Sequence, residues 1–209
     1  MRITFSIAGV LVLFVVWGLL PILAPHAFYV HMVMHMGVVA VAAPFLAIGI
    51  AGGALDPVVK FPTVFAPIPI SLLELVVVWA WHAPGPHHFA RHTVLGSLVE
   101  QSMFLVCGLL LWLSAFGGSR HLESNRAAAG VIALLLTMMH MVLLGALLAL
   151  SPRPLYAHAA SHLRLTPLED QHLGGAIMLV GGGISYLMGG LWLSFRLLRG
   201  NSIQPRGTR

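Results

Sequence analysis

From Phe28 to Ile50 the chain runs for 23 residues without one Asp, Glu, Lys or Arg. A helix of about 20 apolar residues crosses the hydrocarbon core of a bilayer. Backbone amides inside hydrocarbon need partners, so such runs fold as helices or as closed barrels. The apolar runs here are continuous rather than alternating, against the dyad pattern of a barrel. With 58% hydrophobic and 8% charged residues over 209 positions, the sequence reads as an all-α integral membrane protein of one membrane domain.

The spacing predicts a bundle of six transmembrane helices, at about 3–23, 26–50, 66–83, 93–116, 126–150 and 171–198, with 199–209 as a flexible polar tail. Gly52-Gly53, Asp56-Pro57, Pro84-Gly85-Pro86, Gly117-Gly118 and Ser151-Pro152 punctuate the runs. The first run is longer than a signal-peptide core and has no small-x-small cleavage site before Pro21, so it reads as a retained span. Eight of the 11 Lys and Arg fall on the side shared by both chain ends; Arg91, Arg153 and Arg164 fall on the other. That bias predicts a cytoplasmic N-terminus and C-terminus. The net charge of +5 reflects scarce acids, which gives no case for nucleic acid. A single cysteine, Cys107, excludes an intramolecular disulfide and a cysteine-based zinc site.

The unusual residues are 12 histidines and 10 methionines. On this topology 11 of the 12 histidines lie at or toward the non-cytoplasmic side, and His121 alone faces the cytoplasm. His31 and His35, at i and i+4, share one helix face. His140 lies within the fifth run, beside Met138, Met139 and Met141. Imidazole suits Cu, Zn and Fe, and thioether selects Cu(I). The predicted metal site is therefore His31, His35 and His140, with His82 at the end of the third span as a fourth ligand. Met32, Met36 and Met141 are further candidate donors. Interhelical hydrogen bonding and ordinary packing are the competing account.

Around this core, His87, His88 and His92 read as an outward loop that faces water or captures metal. Glu100 could fix a histidine tautomer from behind, and Glu74 could form a structural polar pair. Thr166 with Glu169 forms a capping box, with Pro167 at the first helical position. Asp170, Gln171 and His172 then fall at the outer mouth, placed to orient ligands or touch a partner. Gly175, Gly182 and Gly189 read as a packing seam. Phosphate-binding loops, hydrolase triads and zinc-protease motifs are missing, so the chain is expected not to be an enzyme.

His31-Met32-x-x-His35, Trp81-His82-x-Pro84, His140-x-x-x-x-Gly145, Pro154-Leu155-Tyr156 and Asp170-Gln171-x-x-Gly174-Gly175 together resemble the CtaG family of cytochrome c oxidase assembly factors, the multi-spanning bacterial one. The resemblance extends over roughly Phe28 to Leu198; relatives often have seven spans. It implies a protein of the bacterial cytoplasmic (inner) membrane, needed for active haem-copper oxidase at the copper-insertion stage. The expected partners are oxidase subunits and a periplasmic copper chaperone. The expectation is a metal-binding chaperone that takes Cu(I) on the periplasmic half and passes it on. The alternative is a b-type haem electron carrier, with His31 or His35 opposite His140 as axial ligands. A scaffold that binds neither is the third class.

Overall fold

The computed structural model describes residues 1–23, 27–118, 123–156 and 165–201, and among them every regular element is helical. We number the elements α1 (Arg2–Ile22), α2 (Phe28–Ile50), α3 (Pro57–Lys60), α4 (Pro67–His82), α5 (Pro84–His92), α6 (Val94–Phe116), α7 (Glu123–Ala149) and α8 (Pro167–Asn201). Five of these are long and apolar enough to cross a bilayer, and the α4–α5 pair, bent by 71°, brings the candidate spans to six.

The bend follows from local chemistry. Proline disfavours a helical conformation in the residue before it, and Ala83 is extended at φ −68° and ψ 143°. Pro84 itself needs no N–H donor and opens a new helix at its first position. The segment expected to be a surface loop is therefore the helix α5, laid back across the bundle end.

Helix α2 packs on α8, α8 on α7, α7 on α4, α4 on α6, and α6 returns to α2, closing a ring of five. Helix α1 lies outside that ring against α2, and most of its apolar surface is open to lipid. Both α1 and α2 carry a π-helical turn, Val15–Leu19 and Gly37–Ala42, shortly before a proline, Pro21 and Pro44. Pro44 has no N–H for the Ala40 carbonyl four residues back. Ser185 Oγ donates to that carbonyl at 2.6 Å, and Trp112 Nε1 donates to Val39 O at 2.9 Å. Neighbouring helices thus satisfy backbone groups that α2 releases inside the apolar region.

The glycine seam is where the sequence put it. A Cβ on Gly175 would lie 2.5 Å from Ala149 N, so α7 and α8 meet backbone to backbone. Gly182 faces Met141, and Gly189 faces Trp112. Between the bundle ends, buried Glu74 accepts from Thr137 at 3.2 Å and Tyr186 at 3.3 Å, the polar pairing expected of it. At the end remote from α5, Asp56 accepts from Gly52, Val58 and Gly118, and Arg126 donates to the carbonyls of Pro62 and Phe65.

Candidate metal centre

The centre begins with how α2 starts. Asp170, the residue after Glu169 of the capping box, reaches across to α2 and accepts from Phe28 N at 2.8 Å and Tyr29 N at 2.9 Å. The first amides of a helix lack intrahelical partners, and an anionic acceptor suits them. The capping box itself forms: Thr166 N donates to Glu169 Oε2 at 2.8 Å, and Glu169 N donates back to Thr166 Oγ1 at 3.3 Å. With its first turn held, α2 aims His31 and His35 into the ring interior.

There they meet four more groups. The His31 ring centroid lies 5.0 Å from that of His87 and 6.1 Å from that of His82. His35 lies 5.1 Å from His82, packs against Phe104 at 4.1 Å, and is within electrostatic reach of His140 on α7. All five imidazoles are at most 5% exposed. His82 Nδ1 donates to Val78 O at 2.7 Å, and because a carbonyl only accepts, Nε2 carries the free lone pair. Among the described residues, both ring nitrogens of His31, His35 and His140, and Nε2 of His82, have no hydrogen-bond partner. An unsatisfied buried polar group costs about 1–3 kcal/mol, so this concentration of them needs a counterpart. Desolvated imidazole lone pairs can bind a transition-metal cation.

Glu100 completes the group. Fully buried, its Oε2 accepts from Arg91 Nη2, lies 3.7 Å from His31 Nδ1, and takes a longer bond from Gln101 Nε2 at 3.3 Å. His31, His87 and Glu100 each offer a ligand atom, all within 4.8 Å of one another. Tyr156 closes the top: its hydroxyl donates to His82 O at 2.6 Å, and its ring stacks on Phe28 and packs beside His87. Burial pushes the Tyr156 hydroxyl above its usual range, so it remains a donor.

The remaining sequence candidates fall elsewhere. Met32 and Met36 follow the two histidines by one residue, roughly 100° around the helix, and turn toward α8. Met36 Sδ lies 3.6 Å from where a Cβ of Gly181 would be, and Met141 Cβ lies 3.1 Å from that of Gly182. These thioethers fill the glycine seam. Asp170 caps α2. Gln171 accepts from Leu155 N at 2.6 Å and donates to Leu148 O at 3.2 Å, and His172 Nε2 bonds Ser151 O at 2.9 Å. These three fasten chain segments rather than enter the imidazole cluster. His88 and His92, ring centroids 4.0 Å apart, are exposed on α5, whereas His87 is buried on its opposite face. His26, His121, His158 and His162 lie outside the described residues.

Sequence reasoning missed the role of Arg91, and singled out Tyr156 only as part of the Pro154-Leu155-Tyr156 motif. The signal for Arg91 was its i+4 relation to His87, which a loop assignment hid. Asp170→Ala is expected to destabilise the protein by about 1–2 kcal/mol through loss of the α2 cap, with Asp170→Asn keeping part of it. Thermal melting of the detergent-solubilised protein checks this.

A helical membrane bundle with five histidines and a carboxylate in its interior defines the class. Within that class the chain belongs to the cytochrome c oxidase caa3 assembly factor family, whose family model matches residues 2–200. No curated protein and no solved structure matches it.

Proposed function

We propose that this assembly factor carries copper as cargo, taking Cu(I) on His31, His35, His82 and His140 and handing it to a subunit of the oxidase. The observation that carries the reading is the set of buried ring nitrogens that lack partners among the described residues. Neutral imidazole holds Cu(I) and exchanges it, so the work is ligand exchange, with no bond-making step and no catalytic residue. The Lys and Arg bias supports cytoplasmic ends in the inner membrane, with the histidine end facing the periplasm, where a copper chaperone could deliver. Phe104, packed 4.1 Å from the His35 ring, leaves that imidazole little room for a haem plane beside it.

The test is elemental analysis and a visible spectrum of the full-length protein purified in detergent. Copper without a Soret band is expected, and His35→Leu/His82→Leu should at least halve copper content. Equal copper in both proteins, or a stoichiometric Soret band, would overturn the reading.

A further inference from the structure

We propose that Arg91 is an internal substitute cation: it occupies Glu100 when no metal is present and yields that carboxylate to an ion arriving at a second, outer station formed by His31, His87 and Glu100. This rests on the copper reading and adds a mechanism of admission and release to it.

A carboxylate removed from water inside an apolar bundle needs a compensating charge. Glu100 is 0% exposed, and Arg91 supplies that charge through Nη2 on Oε2. The same oxygen stands 3.7 Å from His31 Nδ1 and belongs to the three-donor group with His87. The guanidinium therefore sits beside the position an ion on those donors would take.

Arg91 is also able to leave. Its side chain is 18% exposed, and its buried Nε has no hydrogen-bond partner among the described residues. It forms part of the wall of a cavity of about 270 Å³, together with Pro21, His31, Met34, His92 and Ser97. One cavity thus offers the guanidinium somewhere to swing and gives an incoming ion access to His31.

The exchange keeps the charge on Glu100 balanced when the ion is monovalent, one positive charge replacing another. From the outer station the way inward is short, since His31 and His82 rings are 6.1 Å apart and His82 and His35 rings 5.1 Å. The inner station keeps His35, His82 and His140 of the copper site while His31 is engaged at the outer one. Return of Arg91 to Glu100 empties the outer station again, and no electron changes hands.

The experiment is anaerobic Cu(I) titration of the full-length protein in detergent against a colorimetric Cu(I) chelator, with dissociation followed by stopped flow. Wild type is expected to take up two Cu(I), and Glu100→Gln one. Arg91→Met should retain both while binding the outer ion about tenfold more tightly and releasing it correspondingly more slowly, a tenfold change in affinity being about 1.4 kcal/mol. The Arg91→Met/Glu100→Gln pair removes both buried charges together, so it folds without an uncompensated one, and should bind one ion. Unchanged affinity and off-rate in Arg91→Met, or wild-type stoichiometry in Glu100→Gln or in the pair, overturns the proposal. A wild type with one Cu(I), indifferent to Glu100→Gln, removes the outer station and leaves the copper reading standing; a wild type with none removes both.

Discussion

His35→Leu is expected to lower oxidase activity at least about tenfold in membranes of cells that depend on this protein, while the purified metal-free variant melts at or above the wild-type temperature. His35 is fully buried, touches His82 and Phe104, and has neither ring nitrogen bonded among the described residues. Leucine fills nearly the same volume and removes polar atoms whose burial costs about 1–3 kcal/mol each. A residue kept for the fold would show the reverse, stability lost together with function. A scaffold that binds no metal predicts unchanged oxidase activity, so retained activity beside normal protein abundance sinks the copper role. A marked drop in melting temperature would instead make His35 a structural residue.

The second large effect is Gly175→Val, which should prevent accumulation of folded protein. A Cβ there would lie 2.5 Å from Ala149 N and 2.7 Å from Gly145 O, both backbone atoms that cannot rotate aside. Separating α7 from α8 disturbs His140 and Asp170 together, the one directly and the other through the α2 cap. Overpacking typically costs about 1–3 kcal/mol where side chains can give, and here only backbone could move. Gly183→Ala is the control, because its nearest neighbour would be Val142 Cγ2 at 3.7 Å. Comparing membrane abundance of the two variants by immunoblot checks the contrast; equal abundance would show the seam to be looser than described.

The spans were legible because hydrocarbon leaves a chain few choices, and charge-free runs of the right length announce themselves. The i,i+4 relation of His31 and His35 was legible for a similar reason, helix geometry being local. What could not be seen was which segment folds back. Pro84-Gly85-Pro86 looks like a loop, and only tertiary packing tells that Pro84 starts a helix carrying His87 and Arg91 to the cluster. Met32 and Met36 misled because composition places them near the histidines, while a one-residue offset turns them to another neighbour. Asp170 and Gln171 looked like ligand-orienting groups because their partners, the Phe28, Tyr29 and Leu155 amides, are backbone atoms with no sequence signature.

The cap that Asp170 places on α2 joins the two ends of the gene product's timetable. The histidines of α2 leave the ribosome early, yet the carboxylate that squares their helix belongs to α8, 142 residues after Phe28. A nascent chain still waiting for that span lacks the clamp on Phe28 and Tyr29, and lacks the helix that backs Met32 and Met36. On the copper reading, the histidines of α2 therefore gain their full bracing only once α8 has been made.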